Sequence, residues 1–254
     1  MKTFIVYCRN FIRLIGGLSL LLKDTFKLGI RPPYEFNLIL NQLYEIGVKS
    51  LSITNLTMLF TGMVLSLQTS YSLSAYGARI YMGDLVALSV VRELGPVLTA
   101  LMIGGRVGAG ITAEIGSMNV TEQVDALRAL ASSPVRKLVV PRFLALFIIL
   151  PLLTILGDFV GIMGGAFIAM YDIGQSGQYF IQHVIKALTI SDIFNGIGKT
   201  FFFAVIISII ACYNGLTASG GADGVGRATT NTVVMASISI FIADFFLTKL
   251  FIFF

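Results

Sequence analysis

The sequence predicts an all-α integral membrane protein with an N-terminal interfacial helix, five transmembrane helices and a short cytoplasmic helix between spans 2 and 3. Two observations lead there. Of 254 residues, 56% are hydrophobic and 12% charged, with a mean hydropathy of +0.88. That is more apolar surface than one soluble core buries and fewer charges than a soluble surface carries. The Lys and Arg residues also stand mostly between long apolar blocks, as they do in the loops of membrane proteins.

Taken in order, residues 11–22 form an apolar run too short for about 30 Å of hydrocarbon. With Arg9, Arg13, Lys23 and Lys27 around it, the run suits a helix lying in the interface. Lys23, Asp24 and Lys27 occupy the place of a small-residue cleavage site, so the segment reads as retained. Spans are expected over 51–75, 85–113, 143–170, 200–217 and 232–252. Each approaches or exceeds the length of about 17 residues that a crossing helix needs.

Orientation follows from the cations. Lys2, Arg9, Arg13, Lys23, Lys27, Arg31 and Lys49 precede the first span, and Arg128, Arg136, Lys137 and Arg142 lie between the second and third, whereas the first intervening loop offers little beyond Arg79. The cationic sides are expected in the cytoplasm, with Phe254 on the far face. Residues 171–197 become an external connection long enough for a short helix, and 219–227 return to the cytoplasm with Gly220–Gly226 as a flexible turn.

Between spans 2 and 3, Asn119–Ala131 reads as one short helix. Asn119 caps it, Glu122 reaches back in a capping box, and Ser132-Ser133-Pro134 ends it. Val120, Val124, Leu127 and Ala131 share a face, leaving Glu122, Asp125 and Arg128 outward. Such a helix either lies in the interface or docks in a groove on a cytoplasmic partner.

Several chemistries find no support in the sequence. The cations form no stripe interleaved with aromatic residues, so nucleic acid is not an expected partner. Cys8 and Cys212 are isolated and His183 has no companion at ligand spacing, so neither a disulfide framework nor a metal site is expected. Gly198-Lys199-Thr200 imitates the end of a phosphate-binding loop, but Ile193 stands where the earlier glycine belongs and an apolar span follows. No Ser/His/Asp arrangement indicates a hydrolase, and no catalytic residue is expected.

The working region is expected where polarity interrupts apolar sequence. Arg92-Glu93-Leu94-Gly95-Pro96 and the glycine-rich run Gly104–Glu114 cost free energy in hydrocarbon unless they line a cavity or pack on protein. Arg92 either attracts a phosphate or holds Glu93 or a neighbouring helix. Gly104 and Gly108, four residues apart, favour close helix packing over a hinge. Lys199 and Asp244 are expected to pair between helices, since an isolated charge at that depth costs at least about 2.5 kcal/mol. Asp158 has no evident partner in the sequence and is expected to face water or a dimer interface.

Val86–Leu98, Gly105-Arg106, Thr112–Gly116, Thr121-Glu122-Gln123 and Pro141-Arg142-Phe143 together resemble the permease subunit of the maintenance-of-lipid-asymmetry ABC transporters. The resemblance extends to Gly62–Leu65, Leu67-Gln68, Pro151–Thr154, Asn214-Gly215, Gly226–Thr230 and Thr232–Val234, nearly all the chain past residue 40. It implies a single permease domain over 1–254, with 1–46 as the N-terminal interfacial region and 47–254 as the five-span core. Its implied partners are a second copy of the chain, two cytoplasmic ATPase subunits that bind ATP and Mg, a small cytoplasmic accessory subunit, a periplasmic hexameric lipid-binding ring, and phospholipid. The implied location is the bacterial inner membrane.

By the same resemblance Leu65, Leu94 and Phe203 line the lipid cavity and Tyr76 lies toward its outer end, with Arg92 and Glu93 joining them as lipid-site candidates. Asn119, Glu122, Asp125 and Arg128 belong to the coupling helix that meets the ATPase. Sterols or other hydrophobic molecules are alternative cargo. A non-transporting membrane scaffold is the alternative from another class, while a secondary transporter would show internal repeats that the sequence lacks.

Overall fold

In the computed structural model, the structure describes residues 2–30, 32, 35–172 and 174–253, with backbone alone at 2–8, 10, 11 and 252. Arg31, Phe254 and the Cys8 side chain, on which expectations were placed, lie outside the described residues. The fold is all-α, with no strand among the described residues. Helix α1 covers Lys2–Gly29. Five further helices are long and apolar enough to cross a membrane: α2 (Phe36–Ser74), α3 (Arg79–Val120), α5 (Val135–Tyr171), α7 (Ile190–Leu216) and α8 (Gly221–Phe251). The shortest, of 27 residues, is about 40 Å long at ~1.5 Å per residue, enough for the hydrocarbon core. Two short helices, α4 (Gln123–Ala129) and α6 (Gly177–Ala187), complete the set among the described residues.

All five expected spans are present, and each extends beyond its apolar core. The first and fifth start 15 and 11 residues earlier than hydropathy suggests, because polar turns continue a helix as well as apolar ones. Four wider π turns interrupt the α geometry, at Tyr44–Val48, Val90–Leu94, Gly104–Gly108 and Val135–Val139.

Three expectations need correction. The glycine run Gly220–Gly226 is no flexible turn: the chain reverses at Gly220 and Gly221, both at positive φ, and Gly221 already begins α8. The fourth span, expected over 200–217, begins at Ile190, so Lys199 lies inside it. The segment Asn119–Ala131 is not one capped helix. Asn119 sits in the last turn of α3, where its side chain donates to the Ala218 carbonyl at 3.0 Å. Glu122 takes a left-handed conformation (φ +60°) with no side-chain cap bond, and α4 is only Gln123–Ala129.

The chain divides into two compact units. One comprises Met1–Ile46, Gly104–Phe147 and Ala204–Ser239. Here α1 presents Ile12, Leu20 and Phe26 outward beside exposed Arg9, Arg13, Lys23 and Lys27, while Leu21 and Thr25 are buried. Phe26 meets Phe143 edge-on at 5.3 Å. Within this unit the Thr112 hydroxyl bonds Thr232 Oγ1 (2.8 Å) and the Ala211 carbonyl (3.0 Å), and Asn214 donates to Thr232 (2.9 Å). These bonds lace α3, α7 and α8 together, and Gly104 and Gly108 lie buried beside them. Arg142, 5% exposed, holds Glu114 at 2.8 Å.

The other unit comprises Gly47–Ile103, Ile148–Phe203 and Ile240–Phe254. Its core gathers Met58, Met82, Val86, Val90, Ala166, Ala169, Phe180 and Val184, so α6 packs its apolar face on the start of α3. His183 on α6 pairs with Asp84 at 2.8 Å. Small residues let α2 and α5 touch backbone to backbone: a Cβ on Gly62 would overlap the Gly161 carbonyl, and Ser66 donates to the Gly165 carbonyl at 3.0 Å.

Candidate functional site

The polar interruption in α3 becomes a charged constellation in the second unit. Val90–Leu94 forms a π turn and Pro96 follows it. Proline has no amide hydrogen, so the Arg92 carbonyl, four residues earlier, loses its usual helical donor. Lys199 supplies a replacement: its Nζ donates to that carbonyl at 3.0 Å, to Glu93 Oε2 at 2.6 Å and to Thr248 Oγ1 at 2.7 Å. It also lies 3.1 Å from Asp244 Oδ1. Thr248 passes the interaction on, donating to the Glu93 carboxylate at 3.2 Å. The Lys199 side chain is 2% exposed, and its three donors are spent on protein.

Arg92 turns the other way, pairing with Asp192 on α7 rather than with Glu93. Asp192 is itself fixed, because its Oδ2 accepts from the Thr189 amide (2.8 Å) and hydroxyl (2.7 Å), and its own amide donates back to Thr189. This is a capping box that starts α7. Thr189-Ile190-Ser191-Asp192 carried that signal in the sequence, but it fell inside a segment read as connection. The Arg92 side chain remains 49% exposed, beside a cavity of about 270 Å³ lined by Glu93, Ser191, Asn195 and Thr248. A second cavity of about 410 Å³ lies along Glu93, Phe241, Asp244 and Phe245.

The other lipid-site candidates are dispersed. Phe203 is wholly buried, Leu65 packs on the core around Met58 and Val86, Leu94 is half-buried, and Tyr76 is 85% exposed. Asp158 is buried in α5 with Oδ1 lacking any hydrogen-bond partner. In α4, Val124 is buried and Leu127 half-buried, whereas Ala131 falls beyond the helix and is exposed. Asp125 and Arg128 pair at 2.7 Å on the outer face. Gly198-Lys199-Thr200 lies within α7, not in a loop. Among the described residues, no three His, Cys, Asp or Glu side chains are grouped to hold a metal.

Five apolar helices with ionisable side chains within their length define a multi-span membrane protein. The family described as Permease MlaE matches residues 39–250. A probable ABC transporter permease protein of Rickettsia felis is 43% identical over 95% of this chain and 93% of its own length. One from Synechocystis is 44% identical over 83% of this chain and 80% of its own. The intermembrane phospholipid transport system permease protein MlaE of Haemophilus influenzae is 43% identical over 85% of this chain and 83% of its own. The chain belongs to the MlaE permease family.

Proposed function

We propose that this chain is the membrane-spanning permease of an ABC transporter that moves phospholipid between the bacterial inner membrane and a periplasmic lipid-binding ring, maintaining outer-membrane lipid asymmetry. The observation that carries the proposal is the half-exposed Arg92 guanidinium at the mouth of a polar cavity within membrane-spanning helices. The phospholipid transport named for the Haemophilus relative supports it.

Asp192 Oδ1 engages Nε and Nη2 of Arg92. The guanidinium has five N–H donors in all, so some remain to meet a lipid phosphate. Glu93, held by Lys199 and Thr248, keeps the α3 turn in shape, while Leu65, Leu94 and Phe203 belong to the helices whose apolar outer surface receives acyl chains. Tyr76 stands at the outer end. Two copies enclose the path, which five spans alone would leave incomplete.

The permease itself has no catalytic residue in this reading. ATP and Mg belong to two cytoplasmic ATPase subunits, and a small accessory subunit accompanies them. The α3–α4 turn at Asn119 and Glu122, with Asp125 and Arg128 on α4, meets the ATPase. The whole chain acts as one permease domain, its N-terminus and the α3–α5 connection cytoplasmic and its C-terminus periplasmic.

The test is reconstitution with the ATPase and ring protein encoded beside it, followed by ATP-dependent transfer of fluorescent phospholipid. Transfer is expected, and is lost when 119–131 is deleted together with ATPase copurification. A preparation that binds ATPase but carries sterol instead of phospholipid would redirect the cargo. The internal satisfaction of Lys199 favours a second reading, a scaffold, and a chain that recovers neither ATPase nor lipid would establish it.

A further inference from the structure

Most threonines in these spans return their hydroxyl to the carbonyl one turn earlier: Thr57 to Ile53, Thr61 to Thr57, Thr112 to Gly108 and Thr154 to Leu150, all within 3.0 Å. Thr54 and Thr99 do not. Both are fully buried, and neither hydroxyl has a hydrogen-bond partner. Asp158 joins them, 9% exposed, its Oδ1 equally unpartnered.

Packing brings these groups together. Asp158 sits against Gly95, where an added Cβ would overlap Oδ1 and would lie 3.0 Å from the Val90 carbonyl oxygen. One residue away on α5, a Cβ on Gly157 would lie 3.6 Å from Thr99 Oγ1 and 2.9 Å from the Met58 side chain. Thr99 is one turn past Gly95, and Thr54 one turn before Met58. Asp158 and Thr99 therefore share a buried region where α3 meets α5, with Thr54 one turn away on α2, and none of the three oxygens has a hydrogen-bond partner. The charged side chains on the facing helix, Arg92 and Glu93, are engaged with Asp192 and Lys199. A bare carboxylate at that depth is costly, and orphaned buried oxygens in a native fold call for a partner.

We propose that Asp158 Oδ1, with the hydroxyl of Thr99, binds one monovalent cation, either a proton or a sodium ion. Either occupant neutralises the carboxylate: a proton converts it to a neutral carboxyl that can donate a hydrogen bond, and sodium offsets its charge while accepting oxygen ligands. The site adjoins the π turn and Pro96, so its occupancy bears on the geometry of that turn independently of which cargo the permease carries.

Infrared spectroscopy of the full-length chain in lipid nanodiscs, with isotopically labelled aspartate, tests this by the wild-type minus Asp158→Asn difference spectrum. Bound proton gives a protonated-carboxyl band near neutral pH, indifferent to exchange of sodium for potassium. Bound sodium gives a carboxylate band that shifts on that exchange, together with a sodium-dependent rise in Tm that Thr99→Val reduces and Asp158→Asn abolishes. An ionised Asp158 whose band ignores the exchange, with equal Tm in the two salts, overturns the proposal.

Discussion

At Lys199 one ammonium faces two carboxylates, Glu93 at 2.6 Å and Asp244 at 3.1 Å. Removing the cation leaves both anions unrelieved, whereas neutralising one anion leaves a complete pair. Lys199→Met is therefore expected to destabilise the protein by about 3 kcal/mol, the lower end for breaking a buried pair because Glu93 is partly exposed. Asp244→Asn should cost less than about 1 kcal/mol. Thermal unfolding in nanodiscs measures both, and equal losses would contradict the unequal sharing of Lys199. Arg92 separates two roles: Arg92→Lys keeps a charge but loses the planar fork, so lipid transfer should fall about tenfold or more while ATP hydrolysis persists. Unchanged transfer would reduce Arg92 to a strut for Asp192. The meeting of Lys199 and Asp244 is readable from sequence, since two charges inside apolar helices have few other partners. The recruitment of Glu93 is not, because it depends on a proline-freed carbonyl drawing the lysine toward α3. Nor is the Arg92–Asp192 pair, which joins residues 100 apart through a helix start mistaken for loop.

At the scale of elements, α2 and α5 are held by the absence of side chains. Gly62→Leu would drive a branched group into the Gly161 backbone and is expected to cost about 3 kcal/mol or prevent folding, while Val64→Leu, on an exposed position, should be neutral. Monodispersity and Tm of the two variants in detergent give the comparison. The turn into α4 has the opposite character. Glu122 holds φ +60°, a conformation that costs a side-chain-bearing residue about 1 kcal/mol, so Glu122→Gly should raise or preserve Tm while Glu122→Val lowers it. Sequence gave every reason to expect a capping box there, since Asn119 and Glu122 have its spacing. What defeated it is tertiary: the Ala218 carbonyl claims the Asn119 amide, so α3 runs on and the chain must turn sharply afterwards.

For the molecule as a whole, membrane residence and the number of spans were legible because hydrocarbon imposes a length that apolar runs reveal. Helix ends were not, because polar turns beyond the hydrocarbon are stabilised by neighbours that hydropathy ignores. If the proposed assembly is right, the ATPase should bind α4 through its exposed face, and Arg128→Glu should reduce ATPase copurification without lowering Tm, checked by pull-down and thermal unfolding. Retained copurification would remove α4 from the contact. The two π turns in α3, at Val90–Leu94 and Gly104–Gly108, have a consequence for how this helix can change. Each accommodates one residue more than an α-helix would, so each sets the residues beyond it back by about 100° relative to an unbroken α-helix. Excising a single residue near Gly105 would let the turn heal into α geometry with Thr112 still facing Thr232 and Ala211, whereas the same deletion in an α-helical stretch of α3 would swing everything beyond it by about 100°. The spiral of α3 is thus a timing device for azimuth, and its glycines and proline mark where the clock has been set back.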